Sequence, residues 1–115
     1  MSGRQASAVR RRLEGSAPIF AALGDETRLR LVAHLSTGGA YSIARLTEGS
    51  TVTRQAVTKH LHVLAGAGLV RDARAGRERL WELDGPSLDE ARRCLELISD
   101  QWHQALERLR RLVEE

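Results

Sequence analysis

From residue 16 onward the chain reads as a series of short apolar periods, each ended by glycine. In "SAPIFAALG", Ser16 is a candidate N-cap and Pro18 falls in the first turn, which predicts a short helix stopping at Gly24. "DETRLRLVAHLSTGG" predicts a second helix, with Asp25 as cap, Leu29, Val32, Ala33 and Leu35 facing inward, and Gly38-Gly39 as the stop. "SIARLTEGS" predicts a third, one-turn helix capped by Ser42, with Ile43, Ala44 and Leu46 inward and Gly49 closing it. A fourth runs from about Thr53 to Ala67, where Val57, Leu61 and Leu64 make one narrow buried stripe. Gly68 stands where a helix stop is expected. Gly66, inside the last turn, costs about 1 kcal/mol relative to alanine and predicts a soft end.

The pattern then changes. "LVRDARAGRERLWELD" holds two short runs around Ala75-Gly76, the second alternating so that Trp81 and Leu83 share a face; a β-hairpin is predicted. Ser87-Leu88-Asp89-Glu90 matches a capping box and opens a long helix to about residue 114. In it Leu88, Ala91, Leu95, Ile98, Trp102, Ala105, Leu109 and Leu112 recur at alternating spacings of three and four, a coiled-coil-like seam. The short helices cannot cover so long a seam, so a second copy of the chain is expected on it. The order is α-α-α-α-β-β-α, a mainly α fold with a small β-hairpin. Residues 1–15, polar and basic, read as a flexible tail preceding one domain over 16–115.

Composition narrows the picture. Only 3% of the 115 residues are aromatic, so leucine, valine, isoleucine and alanine must build the core. The net charge of +3 is unremarkable, but its placement is not: between Arg54 and Arg79 there are six cations and two anions. The single cysteine, Cys94, excludes an internal disulfide and fits a reducing compartment. No apolar run approaches the roughly 18 residues of a membrane span, and the start lacks a secretory signal's apolar middle. A cytoplasmic location is expected, with no membrane partner.

The two helices around Gly49 have the spacing of a helix-turn-helix, whose second helix lies in the major groove of DNA. Opposite Val57, Leu61 and Leu64 fall Arg54, Gln55, Thr58, Lys59 and His62, with no acidic residue among them. Gln suits adenine edges, Arg suits guanine, and Thr suits polar edges or the thymine methyl. Lys59 and Thr53 are better placed for phosphates, which set register without reading sequence. A solvated helix face is the plainer explanation, but the acid-free face is followed at once by a basic hairpin. His60 lies nearer the apolar stripe and reads as a partly buried, hydrogen-bonded histidine.

"ALGDETRLRLVAHL", "TRQAVTKHLHVLAGAGLV" and "GRERLWEL" resemble the ArsR family of winged helix-turn-helix repressors, over about residues 17–114. Most specific are Thr53, Thr58, His60-Leu61 and Ala67-Gly68-Leu69-Val70. The resemblance implies a homodimeric bacterial repressor or autorepressor on a palindromic operator, nucleoid-associated when bound. It puts recognition on Thr53, Arg54, Gln55, Thr58, Lys59 and His62, and a DNA-contacting wing on Arg74, Gly76, Arg77 and Arg79. Arginine at a hairpin tip suits a narrow A·T-rich minor groove or the flanking backbone. For Arg71 and Arg79 an ordinary strand role weighs equally.

The family's thiolate metal site needs two cysteines on the helix before recognition, where this chain has "YSIARLTEG". Asp100, His103 and Glu107 share a face of the last helix without matching the family's other site, so no metal or other cofactor is expected. Cys94 reads as inert packing rather than a redox switch. No catalytic constellation is present: no Ser/His/acid set, Cys/His pair or phosphate loop. Two alternatives stay open: a winged helix that binds an acidic protein, and a ligand- or redox-gated sensor with an unidentified small-molecule or protein inducer.

Overall fold

The computed structural model describes residues 3–114. Helix α1 spans Gly3–Leu23, α2 Glu26–Leu35, strand β1 Tyr41–Ser42, α3 Ile43–Leu46, α4 Arg54–Gly66, β2 Val70–Ala75, β3 Glu78–Leu83 and α5 Gly85–Glu114. The strands form one antiparallel sheet in the order β1-β3-β2, with Tyr41 opposite Trp81 and Asp72 opposite the other edge of Trp81.

The core lies where α2 and α4 meet this sheet. Leu35, Leu61, Leu64, Leu69, Val57 and Trp81 are almost wholly inaccessible, joined by Leu31, Val32, Leu46 and Val70, by Ile19 and Ala22 from α1, and by Ala91 from α5. One indole at the centre with aliphatic neighbours is the core that an aromatic-poor composition permits. Asp25 caps α2 by accepting from the Arg28 N–H at 3.0 Å and Ser42 caps α3 in the same way, as their sequence positions predict; Thr53, expected only as the start of α4, is its N-cap.

Several expectations need correction. The segment read as a flexible tail is helical from Gly3, and residues 1 and 2 lie outside the described residues. Ser16 is therefore no cap; it is a buried residue within α1, and Pro18 also lies inside that helix. The signal was present: positions 6, 9, 13, 16, 20 and 23 are spaced by three or four and are all buried or half-buried. They pack towards α5, and Arg12 adds an ion pair with Glu90 at 3.2 Å. On α2 the inner face is Leu31, Val32 and Leu35, whereas Leu29 and Ala33 are exposed. They lie roughly 120° and 160° around the helix from Leu35, beyond an apolar stripe. Ala44 is exposed because α3 is one turn long.

The two-residue strand β1 was not foreseen, since its ladder position comes from β3 and not from any local period. The hairpin itself is as predicted. Gly76 carries a φ of +65° and Arg77 does not, the sign pattern of a type II′ turn. The α4 stop is a Schellman closure: the Leu69 N–H reaches the Leu64 carbonyl at 3.0 Å and the Gly68 N–H reaches Ala65 at 2.9 Å. Leu64 and Leu69 are both fully buried there, so that end is pinned by apolar contact despite Gly66. α5 begins at Gly85, which puts Ser87 inside the helix and gives Glu90 to Arg12; the capping box does not form.

The molecule measures 66 × 27 × 21 Å, with a radius of gyration of 18.8 Å. A compact chain of this length has about 13 Å. The excess comes from α5, whose 30 residues form a rod of about 45 Å.

Candidate nucleic-acid interface

Gly49, with φ +70°, turns the chain between α3 and α4, and Ser50 steadies the turn by accepting from the Val52 N–H at 3.0 Å. Thr53 then starts α4, its hydroxyl oxygen accepting from the Ala56 N–H at 3.1 Å while its own O–H stays free to donate outward. Val57, Leu61 and Leu64 fix the inner face, so the opposite face is committed to solvent. Arg54, Gln55, Lys59 and His62 are exposed on it and Thr58 is half-buried. Thr58 donates to the Arg54 carbonyl at 2.8 Å, which fixes its rotamer and leaves its methyl and hydroxyl lone pairs available. Among the described residues, the side chains of Arg54, Gln55 and Lys59 make no hydrogen bond or ion pair with the rest of the chain. Their full donor capacity is on offer.

The hairpin carries the second cationic surface. Arg74 and Arg77 are exposed and, among the described residues, likewise unpaired. Arg74 sits directly opposite Arg79 in the ladder, and like charges so placed destabilise a hairpin. The strain is relieved from the Arg79 side. Its Nε donates to Asp72 at 3.2 Å, and its guanidinium lies over the Trp81 ring, 4.7 Å from the centroid. Arg79 is thus held along the strand, while Arg74 and Arg77 flank Gly76 at the free tip. Arg71 is spent in a cross-strand pair with Glu82 at 2.9 Å, which raises its already high pKa further.

The helix and the hairpin are joined at one point. The His62 ring meets Trp81 with centroids 5.8 Å apart, so the recognition-type face and the wing abut through a buried indole. His60, one residue pair inward, is half-buried with Nδ1 3.3 Å from an Arg28 guanidinium nitrogen and 3.8 Å from the Asp25 carboxylate. This surrounding network was not legible in the sequence, because His60 lies over thirty residues from Asp25 and Arg28. The Asp25 carboxyl is held below its ordinary pKa, first by the Arg28 backbone N–H and then by the Arg28 charge, partly offset by desolvation.

The seam along α5 divides in two. Ala91 is buried in the chain's own core and Leu88 packs against it, so both belong to the folded unit. Leu95, Ile98, Trp102, Leu109 and Leu112 are exposed, Trp102 by 62% and Leu112 by 71%, with Ala105 half-buried among them. Leu106 and Val113 are exposed too and widen the stripe beyond the strict seam. Near its start, Phe20, Leu23, Leu88 and Leu95 line an apolar groove of about 500 Å³ between α1 and α5. Cys94 is buried and free. Of the acidic and imidazole trio on α5, His103 leans on the Ser99 hydroxyl at 3.4 Å and Glu107 pairs with Arg110 at 3.8 Å. Among the described residues, no group of three or more His, Cys, Asp or Glu gathers to hold a metal, and no helix is long and apolar enough to cross a membrane.

A helix-turn-helix domain family matches residues 23–73, which span α2 to the middle of β2. The chain is 36% identical over 93 residues to an HTH-type transcriptional regulator of Mycobacterium tuberculosis, covering 81% of this chain and 83% of that one. It superposes on an ArsR-like transcriptional regulator from Rhodococcus sp. RHA1 with a TM-score of 0.71 and 36% identity, over 84% of this chain and 91% of that one. It also shares its fold with a homodimeric winged helix-turn-helix DNA-binding domain from Mycobacterium bovis, at a TM-score of 0.60 and 22% identity, covering 88% and 89% of the two chains. These relatives are described as regulators of transcription and not as enzymes.

Proposed function

Because the chain belongs to the ArsR family of winged helix-turn-helix transcriptional regulators, we propose that it is a homodimeric repressor that binds a palindromic operator through α4 and the Arg-bearing hairpin. Repression follows from occupancy: a protein seated across a promoter excludes polymerase, and where the operator precedes its own gene the result is autorepression. The observation that carries this reading is the outer face of α4, where Arg54, Gln55 and Lys59 stand exposed and unpaired beside Thr58 and His62 with no carboxylate among them.

The division of labour follows from chemistry. Gln55, Arg54 and Thr58 read base edges; Thr53 and Lys59 hold phosphates; His62 contributes at the helix edge nearest the wing. Arg74 and Arg77 enter the minor groove or grip the flanking backbone, Gly76 supplies the turn between them, and Arg79 braces the strand. The exposed part of the α5 stripe pairs with a second copy, supported by the homodimeric assembly described for the Mycobacterium bovis domain. Such a regulator works in the cytoplasm, on the nucleoid. The reading is tested by incubating the purified protein with fragments of its own genome and sequencing those retained. Recovery of a shared inverted repeat with half-sites about 34 Å apart supports it. Retention of fragments with no common sequence sinks it and points to a protein partner for the basic face.

A further inference from the structure

Arg28 is half-buried where α1, α2 and α4 converge, and each of its three guanidinium nitrogens has a partner. Nε donates to the Ala22 carbonyl at 2.6 Å and one terminal nitrogen to the Ala21 carbonyl at 3.4 Å. Both carbonyls belong to the last turn of α1, where Ala21 also accepts from the Gly24 N–H at 3.3 Å. The other terminal nitrogen lies 3.3 Å from His60 Nδ1, in the middle of α4. The Arg28 backbone N–H meanwhile holds Asp25, whose carboxylate is 3.8 Å from the same imidazole nitrogen. With Arg28 as donor, His60 carries its proton on Nε2 and accepts at Nδ1. Among the described residues, His60 makes the only side-chain polar contact from α4 to another helix.

We infer that Arg28 and His60 are positioning residues for operator recognition, joining the end of α1 to the middle of α4 so that the angle of the recognition helix sets the half-site spacing. The inference rests on the two-fold operator reading above. Leucine packing alone does not supply this angle. Val57, Leu61 and Leu64 remain buried under a small rotation of α4, because apolar burial is non-directional. A planar guanidinium bridging two carbonyls and an imidazole is directional, and it weakens steeply when misaligned. On the other side, α1 runs beside α5 and is tied to it by Arg12–Glu90 at 3.2 Å. The chain of contacts therefore leads from the exposed α5 stripe, through α1 and Arg28, to α4. Gln55 lies five residues from His60, about 7.5 Å along the axis, so a tilt at the joint displaces the base-reading end.

The test uses the full chain and the operator recovered from the genome, together with versions whose half-site separation is changed by one and two base pairs, and an isolated half-site. The variants are His60→Leu, which removes the acceptor at similar bulk, and Arg28→Lys, which keeps the charge but not the fork. For the wild type, altered separation is expected to cost about tenfold in affinity. In the variants that ratio falls towards one, while half-site affinity stays within about twofold. A variant that keeps the wild-type ratio overturns the inference, as does one that loses half-site and operator binding by the same factor, since that is the mark of a purely structural role. A wild type indifferent to separation defeats the two-fold reading itself, which distinguishes the two failures.

Discussion

Gly68 shows how much one position can be asked to do. Its φ of +75° is a conformation that side-chain-bearing residues rarely adopt, and a Cβ there would meet the Ser87 hydroxyl oxygen at 2.5 Å. It closes α4 and lets α5 pass close by. Gly68→Ala is expected to lower stability by about 2 kcal/mol, measured by denaturant unfolding; a loss within experimental scatter would mean that α5 yields freely at this point. Asp25 is the comparable acidic residue. Its carboxyl titrates below 3.8, so its charge stabilises the fold above the ordinary carboxyl range and the contribution disappears as pH falls through the lowered value. Asp25→Asn keeps a capping side chain and removes the charge. The stability gap between the two proteins should be complete above about pH 5 and close below it. A gap that widens on acidification would contradict the assignment.

At the level of elements, α4 and the β2–β3 hairpin present cations in two different ways. On α4 the donors stand on one helix and face a single direction; at the hairpin tip Arg74 and Arg77 are exposed, unpaired and on either side of Gly76. The first arrangement suits reading, the second suits holding. Gln55→Ala should therefore cost about 1–3 kcal/mol of discrimination at one base pair while leaving random-sequence binding almost unchanged. Arg77→Ala should weaken operator and random duplex together and reduce the slope of log affinity against log salt by about 1. Equal losses on both duplexes for Gln55→Ala would remove it from the base-reading set. The pinned α4 terminus matters here, since a fraying end would blur the path from α4 into β2.

For the whole molecule, the exposed half of the α5 stripe is what a lone chain leaves unfinished. Charged substitutions at Trp102 and Leu109 touch nothing in the core, so the double variant Trp102→Glu, Leu109→Glu should fold normally and sediment as a monomer. Operator affinity should then drop by about 100-fold or more, because the second half-site no longer binds as part of the same particle. If that variant sediments as a dimer, the seam is not what joins the copies.

The helices over 26–35 and 54–66, the hairpin and the acid-free face of α4 were legible from the chain because each is signalled locally: a cap residue, a period of three to four, a glycine at the stop. So was the family resemblance, carried by contiguous runs. The missing parts are those decided by distant partners. The N-terminal helix carries only a faint three-and-four spacing in a polar, arginine-rich segment, and it is the surface offered by α5 that makes that spacing count. Strand β1 exists because β3 presents a free edge, Leu88 and Ala91 are claimed by the core before any second copy arrives, and Glu90 leaves its expected cap for Arg12. The joint of Asp25, Arg28 and His60 is likewise tertiary. Local periodicity decides which segments form and which face turns inward; only packing decides which of two competing partners a side chain takes, since that choice depends on what else is within reach.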